Sequence, residues 1–399
     1  MTAECLAMLG GKPLFDSTLA VGQWYMPPRE ELDAQLRGIF ERQYYTENGP
    51  LVRELEAHLG RYAGVLHAIC VANASVAFLM LTNTLRDPSS LLVPALATDS
   101  LAESFPWFTH RHITYDLDPA AMQVSPQSIS ASLEGDTSGI LLVDYWSGAA
   151  DIAAIRSGLG RAGLPVFADS TQSFGGRTAA GMVGSLADAT VVSLHHASML
   201  SAGEGACIFT NDADLADQLR TMRSSSGVTR PMPVGKTVNG RMSEAQAALA
   251  LISLAHLDEI KQAGAKRCRR YETLLRDVPG ISPVLPHGVE EANHEHMICQ
   301  VDPALLGITA GMLRQVLEAE NVGCALPVAR VPAQAGWNPA ATAGADRLAD
   351  TLLRLPSGSS TSDLAIMAIC DLLHSIPVHA EAIRQACAHN LGENPGCCQ

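Results

Sequence analysis

Short apolar runs alternate, through the first half of the chain, with stretches whose apolar residues recur at helical spacing. Amphipathic stretches at 75–85 and 152–159 lie between the apolar runs, and stretches at 30–42 and 51–62 precede the first one. Another helix is predicted from the cap region at 211–212 to Arg223. Strands joined through helices of this length predict right-handed crossovers and a mostly parallel sheet. The predicted strands are 68–71, 91–93, 113–116, 140–143, 165–168, 190–193 and 206–210.

The pattern changes after residue 242. A long helical pattern over 242–275 is followed by Pro279 and Gly280, which end it. We place a domain boundary near residue 250, between a large domain (1–250) and a smaller α+β domain (251–399). The N-terminal segment can pack on the small domain, and 390–399 is predicted to be a disordered tail. Beyond the boundary we predict strands at 297–301 and 323–327 and helices at 309–320 and 362–374.

Composition and charge narrow the class of protein. The 399 residues are 47% hydrophobic and carry a formal charge of −14. No basic stripe is present, which argues against nucleic-acid binding. There is no apolar run of about 18 residues and no basic-then-apolar leader, so neither a membrane span nor a secretory signal is predicted. A cytoplasmic location is therefore expected. The lysines are few: Lys12, Lys236, Lys261 and Lys266.

The ten cysteines are scattered, apart from the neighbours Cys397 and Cys398. There is no CxxC motif and no Cys/His group at zinc spacing, so no metal site is predicted. Cys70, Cys207 and Cys299 lie in apolar strand-like runs and are interpreted as small core residues. An iron–sulfur cluster built from distant cysteines is the alternative that stays open.

Ligands of open parallel sheets bind beyond the carboxyl ends of the strands. The residues that directly follow the predicted strands are therefore the first candidates for a site. They are polar or small at four places along the chain: 73–75, Asp144, Asp169 and 193–198.

Several segments between residue 11 and about residue 375 match the motifs of one family, in that family's order. They are Asn48-Gly49-Pro50, Leu55-Glu56, 71–75 (VANAS), 167–175 (FADSTQSFG), Ser193-Leu194-His195, 203–206 (GEGA), 239–244 (NGRMSE), His296 and Leu355-Pro356. On these segments the chain resembles the DegT/DnrJ/StrS sugar aminotransferases. The resemblance implies a fold-type-I α/β architecture, with a large domain whose mostly parallel mixed sheet lies between helices. It also implies an L-shaped homodimer with shared active sites and a small-molecule substrate.

The same resemblance implies pyridoxal phosphate (PLP), or pyridoxamine phosphate (PMP) in the minority of members that dehydrate keto-sugars. Asp169 would then pair with the pyridinium nitrogen and make the ring an electron sink. Gln172 would lie beside the ring, and Asn239 would reach the phosphate from the neighbouring subunit. Each residue also has an ordinary interpretation, as a helix cap for Asp169 and as loop residues for Gln172 and Asn239.

The phosphate would lie at the start of the helix after the first strand. Ser75 opens this helix, and helix N-terminal N–H groups attract anions. Ala74 stands where the family has a loop glycine, which restricts close backbone approach. Ser193 would add a hydrogen bond to the phosphate. A plain helix cap at Ser75 and a strand-end serine at Ser193 are the alternatives.

Serine stands where the family has its Schiff-base lysine. In the family this segment reads Ser-Phe-His-x-x-Lys. When the segment is aligned from Ser193, the lysine position falls on Ser198. Lysine holds PLP as an imine and shuttles protons, whereas a hydroxyl forms no imine and is a poor base near neutral pH. Thr98 replaces the aromatic residue over the ring, and Asp144 replaces a family histidine. Ordinary transamination is therefore disfavoured; no covalently bound cofactor is expected, and PLP or PMP could bind only noncovalently.

Two histidines lie close to this position and can act as acid or base near neutral pH. His195, His196 and Ser198 are thus the candidate catalytic residues. If the strand continues through the histidines, they point to opposite faces and at most one faces the pocket. Lys236 is either a contact to an anionic substrate of the other subunit or a solvated surface lysine. The candidate substrate contacts are Asp144, Lys236 and Arg241.

Three functions stay open. The first is a biosynthetic enzyme repurposed without an internal aldimine, acting on a small phosphorylated, nucleotide-linked or carrier-bound metabolite. The second is a sugar dehydratase or aminotransferase with noncovalent PMP or PLP. The run 203–205 resembles a keto-sugar dehydratase of the family, although the histidine of that enzyme corresponds to Ser198 here. The third is a non-catalytic partner or sensor protein.

Overall fold

A computed structural model describes residues 6–46, 48–86, 89–161, 163–224, 237–326, 328–331 and 342–393. Its strands are β1 (His67–Val71), β2 (Ser90–Pro94), β3 (Leu96–Ala97), β4 (Arg111–Tyr115), β5 (Leu117–Asp118), β6 (Gln123–Val124), β7 (Thr137–Val143), β8 (Val166–Asp169), β9 (Arg177–Thr178), β10 (Gly181–Met182), β11 (Ala189–Ser193), β12 (Ala206–Thr210), β13 (Ile281–Pro283), β14 (Met297–Val301), β15 (Ala329–Arg330) and β16 (Leu352–Leu355). Its helices are α1 (Arg29–Arg42), α2 (Pro50–Ala63), α3 (Ala74–Thr82), α4 (Asp99–Ser104), α5 (Pro126–Ser132), α6 (Ile152–Gly158), α7 (Ala213–Arg223), α8 (Glu244–Ala255), α9 (Leu257–Leu274), α10 (Pro303–Leu306), α11 (Ala310–Ala319), α12 (Ala343–Thr351) and α13 (Asp363–Glu393).

The main sheet has seven strands in the order β1-β12-β11-β8-β7-β2-β4. Its strands pair in parallel from β4 to β11, whereas β12 runs antiparallel to both β11 and β1. The sheet is thus mixed and mostly parallel, and all seven strands predicted in the first half of the chain are confirmed in it. Helices cover both faces, which explains the near-continuous apolar runs. Val191 packs in the core on one face and Val192 in the core on the other.

Two motif segments that are far apart in sequence meet at the start of α2. The buried carboxylate of Glu244, the first residue of α8, accepts hydrogen bonds from the N–H groups of Leu51 (3.1 Å) and Val52 (3.0 Å). A carboxylate at this place satisfies N–H groups that lack a helical partner and interacts favourably with the helix dipole. A Cβ atom on Gly49 would lie 2.4 Å from the Glu244 carboxyl carbon, so this contact requires glycine.

The C-terminal part is built on a small antiparallel sheet, β13-β14-β16. Helices α9, α11 and α13 supply buried residues to a second core around it, including Leu313. N-terminal residues join this part, because Leu6 is fully buried in the second core and Leu19 pairs with Val322. The domain boundary near residue 250 stays a prediction.

Two predicted elements differ in the structure. The helical pattern over 242–275 is two helices, α8 and α9, which break at His256, whose ring lies 3.2 Å from carboxylate oxygens of both Glu31 and Glu259. The strand predicted at 323–327 is wrong for the described residues 323–326, where the pairing is an isolated bridge of Ala325. The reason is that the N–H of Gly323 donates instead to the carbonyl of Leu19 in the N-terminal segment.

The last helix is longer than predicted. It does not end at 374 but runs from Asp363 through Pro377 to Glu393. The disordered tail at 390–399 stays a prediction, and 394–399 lies outside the described residues. By length and composition the stretch Asp363–His389 could span a membrane. Half of its apolar window is buried, however, and its buried side chains belong to the C-terminal core, as in the core helix of a folded domain.

Candidate active site

A cavity of about 680 Å³ opens at the carboxyl ends of β8 and β11. Asp169 lies behind its wall, whereas Asp144, Asn239 and Arg241 do not line it. Lys236 lies outside the described residues. The predicted site residues that line the cavity are Ala74, Ser75, Gln172, Ser193, His195, His196 and Ser198.

The first turn of α3 faces the cavity. Asn73 caps this helix, because its side-chain oxygen accepts from the N–H of Val76 at 2.9 Å. The hydroxyl of Ser75 donates to the carbonyl of Ser100 at 3.2 Å, which ties α3 to the start of α4. The positive end of the α3 dipole therefore points at the cavity, as an anion-binding site requires.

Ser198 lies in the loop after β11. Its hydroxyl donates to the hydroxyl oxygen of Ser193 at 3.1 Å, and the same Ser193 oxygen accepts from the N–H of His195 at 3.1 Å. Among the described lysines, Lys12, Lys261 and Lys266 do not line the cavity. The cavity wall that the structure describes thus presents hydroxyl groups and imidazoles, and no amine.

Asp169 ends β8 and is fully buried. Its carboxylate accepts hydrogen bonds from the hydroxyl of Thr98 and from the N–H of Thr171, the latter at 3.0 Å. Burial raises the pKa of Asp169, and the bonds from Thr171 and Thr98 partly oppose this rise. Thr98 lines the cavity, so this hydrogen bond links the buried Asp169 carboxylate to the cavity wall.

Gln172 and Asp144 are held from neighbouring strand ends. The Gln172 side-chain oxygen accepts from the N–H of Trp146 at 3.3 Å. Asp144 is buried and accepts from the N–H of Ala150 at 2.8 Å and from the hydroxyl of Ser170 at 2.5 Å. Burial raises the pKa of Asp144 to about 6. The structure therefore turns Asp144 into the protein, away from the predicted substrate.

Both histidines line the cavity: β11 ends at Ser193, and a turn that begins at His196 follows. The two histidines were expected to point to opposite faces only if β11 continued through them, and β11 ends before them. The two ring centroids are 3.8 Å apart, and the His196 ring also lies 4.3 Å from that of Trp24. Burial and the neighbouring His196 lower the pKa of His195, which favours the neutral imidazole.

The exposed carboxylate of Glu204 completes a small polar group with the two histidines. Its Oε1 lies 3.4 Å from Nε2 of His195. One donor atom from each of His195, His196 and Glu204 lies within 4.8 Å of the others, and this is the group of three potential metal ligands among the described residues. No such group was predicted, since its members are separated in sequence by a loop. The described cysteines form no group of this kind.

Three ionisable residues from the C-terminal part also line the cavity; His296 had been identified only as a motif match, and the other two were not predicted. They are Glu295, His296 and Arg354. Burial raises the pKa of Glu295 to about 8 and holds the pKa of His296 well below its ordinary value. The available signal was Arg354 itself, a charged residue inside the apolar strand run Leu352–Leu355.

The N-terminal segment closes the same wall. The N–H of Gln23 donates to the carbonyl of Ala197 at 2.9 Å, and the Gln23 side chain donates to the carbonyl of Glu295. A Cβ atom on Gly358 would lie 1.8 Å from the carbonyl oxygen of Gly22, so the segment fits only because residue 358 is glycine. The cavity is thus assembled from three distant parts of the chain.

Comparisons with known proteins agree with this geometry. The DegT/DnrJ/EryC1/StrS aminotransferase family model matches residues 28–374. Over 287 residues, covering 71% of this chain and 76% of that protein, the chain is 26% identical to a dTDP-4-amino-4,6-dideoxy-D-glucose transaminase from Shigella dysenteriae. Over 337 residues, covering 79% and 78%, it is 25% identical to an L-glutamine:2-deoxy-scyllo-inosose aminotransferase from Streptoalloteichus tenebrarius. The structure of DesI with its TDP-sugar product matches with a TM-score of 0.88 and 28% identity over 98% of this chain and 100% of that one, which confirms the predicted fold.

Proposed function

Because this chain belongs to the DegT/DnrJ/EryC1/StrS aminotransferase family, we propose that it is a biosynthetic enzyme that works without covalently attached pyridoxal phosphate. One observation carries the proposal. Ser198 stands at the predicted position of the Schiff-base lysine, and its hydroxyl is hydrogen-bonded to that of Ser193 at 3.1 Å. Neither hydroxyl can form an imine with an aldehyde.

The described residues do not fit a covalently held cofactor. Lys261, one of the described lysines, is ion-paired with Glu291 at 2.9 Å, outside the cavity wall. The carboxylate of Asp169, which the resemblance assigns to the pyridinium nitrogen, already accepts a hydrogen bond from Thr98. We therefore assign no catalytic step to such a group.

We assign proton transfer to His196. Both ring nitrogens of His195 are engaged, since Nδ1 accepts from the N–H of Ala197 at 3.3 Å and Nε2 lies 3.4 Å from Glu204. His196 lines the cavity and is positioned by its ring contact with Trp24. An imidazole placed in this way can take a proton from a bound substrate and return it.

The proposed substrate is a small phosphorylated, nucleotide-linked or carrier-bound metabolite. Its phosphate would lie at the first turn of α3, beside Ser75. The proposed assembly is a cytoplasmic homodimer with shared active sites. Asn239 and Arg241 are exposed and lie away from the cavity of their own chain, as expected of residues that serve the neighbouring subunit.

A second candidate is a sugar dehydratase or aminotransferase with noncovalent PMP or PLP. It is favoured by Gln172 and the first turn of α3, which line one cavity, and by Asp169, which is hydrogen-bonded to the cavity-lining Thr98. Asp169 would hold the ring nitrogen, provided that Thr98 releases it, and Ala74 and Ser75 would hold the phosphate. Such a cofactor supplies an electron sink for carbanions. A non-catalytic partner or sensor is the third candidate.

The test is to trap the cofactor. The wild-type protein, Ser198→Lys and Ser198→Met are each incubated with PLP, reduced with borohydride, digested and analysed by mass spectrometry. We expect no pyridoxyl adduct on any of the four lysines of the wild type and an adduct on the new lysine of Ser198→Lys. Ser198→Met is the matched control, with a long side chain that lacks the amine.

Three outcomes would redirect the proposal. A pyridoxyl adduct on a natural lysine of the wild type would overturn it. Saturable binding of PMP by the wild type without borohydride, measured by equilibrium dialysis, would favour the second candidate. If His196→Ala left product formation by the biosynthetic pathway unchanged, a non-catalytic role would be favoured instead.

A further inference from the structure

We infer that the cavity wall carries a binding site for a divalent transition-metal ion such as Zn²⁺, made by His195, His196 and Glu204. All three residues line the cavity, and one donor atom from each lies within 4.8 Å of the others. The inference goes beyond the proposed function, because the ion can bind whether or not the proposed reaction takes place.

Backbone pairing places His195 opposite Glu204. The two residues lie at the two ends of the loop that joins the antiparallel strands β11 and β12. The N–H groups of the residues on either side of His195 donate to the carbonyls of the residues on either side of Glu204, each at 2.8 Å. Residues that stand opposite each other in such a pair have Cβ atoms about 4.5–5.5 Å apart. These two ligands are therefore brought together by the backbone.

Two glycines set the backbone of Glu204. Gly203 has a φ of +78° and Gly205 a φ of +157°, which other residues rarely adopt. The carbonyl of Glu204 also accepts a hydrogen bond from the side chain of Gln246 at 2.8 Å. The backbone of Glu204 is thus fixed, whereas its carboxylate is exposed and can turn towards an ion.

The spacing of the donor atoms fits a metal ion. Nε2 of His195 lies 3.4 Å from Oε1 of Glu204. Zinc binds imidazole nitrogens and carboxylate oxygens at about 2.0–2.2 Å, so two such atoms at a tetrahedral angle lie about 3.3–3.5 Å apart. The third ligand needs only a small adjustment, because all three donor atoms already lie within 4.8 Å and no member of the group is fully buried.

Both imidazoles can offer a lone pair to the ion. The His196 ring is positioned by contacts with the rings of Trp24 and His195, and no hydrogen bond within the described part of the chain occupies its nitrogens. Nδ1 of His195 accepts from the N–H of Ala197 at 3.3 Å. Coordination through Nε2 moves the ring proton to Nδ1 and gives up this one long hydrogen bond.

The charges of the cavity favour a cation. Asp99 and Glu103 are exposed and line the cavity together with Glu204. Arg354 is the arginine or lysine among the described lining residues. Acidic groups in a cleft raise the local concentration of cations. Two imidazoles and one carboxylate select an ion such as Zn²⁺ over Mg²⁺, which prefers oxygen ligands.

Three protein ligands leave one coordination position open, as in catalytic zinc sites and unlike structural ones. Water or an oxygen of the substrate can take this position, and zinc lowers the pKa of a bound water to about 7. Because the ion holds the lone pair of His196, the bound water replaces this imidazole as the proton acceptor in the metal-loaded protein.

The experiment measures binding of Zn²⁺ by equilibrium dialysis and metal analysis, with Mg²⁺ as a second probe. All proteins are full-length and carry Cys397→Ser and Cys398→Ser, because two adjacent thiols can bind zinc themselves. Glu103→Gln is the matched control, since it removes a carboxylate from the same cavity but not from the proposed ligands. The proteins compared are this background, His195→Asn, His196→Asn, Glu204→Gln and Glu103→Gln.

We expect the background protein to bind Zn²⁺ with saturation and to show no saturable binding of Mg²⁺. Each ligand variant should weaken Zn²⁺ binding by about tenfold or more, because even residues that only orient metal ligands contribute about 10- to 100-fold. Glu103→Gln should weaken it much less, since it removes only a nearby charge. Melting temperatures without zinc should be similar throughout, because no ligand side chain is fully buried.

The inference is overturned if the background protein shows no saturable Zn²⁺ site, or if all three ligand variants bind Zn²⁺ as tightly as the background does. Equal weakening by Glu103→Gln and Glu204→Gln would also overturn it, because charge alone would then hold the ion. Equally tight binding of Mg²⁺ would overturn the choice of ion. If one ligand variant melts far below the background, the other two decide. The borohydride test of the proposed function is run with a metal chelator present, so the two failures are distinguishable.

Discussion

Two arginines of this protein, one buried and one partly buried, have different surroundings. Arg223, at the end of α7, is 7% exposed in its side chain and donates to the carboxylate of Glu56 at 2.5 Å and to the carbonyl of Cys70 at 2.8 Å. The same Glu56 oxygen accepts from the N–H of Cys70 at 2.9 Å, which fixes the pair against β1. Arg354 lines the cavity with a buried Nε that has no partner among the described residues.

The difference teaches how to separate structural charges from functional ones. A buried ion pair with further hydrogen bonds compensates for its own desolvation, so it serves the fold. Arg223 is of this kind. Arg354 forms no ion pair within 4.0 Å, and the charges of Asp99 and Glu295 act on it only over a longer distance. The predictions below test this distinction, from the largest expected effect to the smallest.

Arg223→Gln should be the most destabilising change. It leaves the carboxylate of Glu56 buried without its cation, and loss of one partner of a buried pair costs about 3–5 kcal/mol. The free energy of unfolding, measured by urea denaturation, should fall by this amount. Arg347→Gln, on the surface, should change it by less than about 0.5 kcal/mol. A loss below about 1 kcal/mol in Arg223→Gln would contradict the structural role of the pair.

Glu295 should make stability depend on pH. Its pKa is about 8 when folded, against an ordinary value of 4.5. Below pH 4.5 the Glu295 carboxyl group is protonated in both the folded and the unfolded protein, so its contribution to the free energy of unfolding is fully present. As the pH rises from 4.5 to 8 the unfolded state ionises first, and stability falls by at most about 1.4 kcal/mol for each pH unit.

Glu295→Gln, which cannot ionise, should remove most of that slope. The measurement is urea denaturation at several pH values across the window. Glu290→Gln is the matched control, because Glu290 is exposed in the same segment. Equal slopes for Glu295→Gln and the wild type would show that Glu295 does not hold a proton in the folded protein.

Asp144→Asn should show the same effect on a smaller scale. Burial raises the pKa of Asp144 from 3.8 to about 6, so its contribution is lost over a lower and narrower window, from about pH 4 to 6. The asparagine can keep both neighbours, accepting from Ala150 and donating to Ser170. In Asp144→Asn the free energy of unfolding should depend less on pH than in the wild type, and only in that window. Flattening between pH 6 and 8 would mean that the assignments of Asp144 and Glu295 must be exchanged.

Most of the fold could be predicted from local patterns. The seven strands of the main sheet stand out as apolar runs because both faces of that sheet are covered. The break between α8 and α9 at His256 was not predicted, since no proline or glycine marks it in the sequence. The segment at 323–326 has a strand-like composition, but the N-terminal segment takes the Gly323 N–H.

Some residues of the candidate site could likewise be predicted from the sequence, and others could not. Ser75, Ser193 and Ser198 could be predicted because they directly follow strands or belong to motifs. The wall that carries Arg354 could not, because its members come from the far end of the chain. Thr98 was recognised as a substitution for an aromatic residue, yet its hydrogen bond to Asp169 emerged only from the folded chain.

The sequence alone determined which chemical groups exist and which segments become strands and helices, because side-chain chemistry and periodicity are local properties. It therefore determined that position 198 carries a hydroxyl and not an amine. Only the tertiary structure decided which polar groups find partners. Whether an arginine forms an ion pair depends on packing, which brings the Glu56 carboxylate to 2.5 Å from Arg223 and leaves the carboxyl groups nearest to Arg354 more than 4.0 Å away.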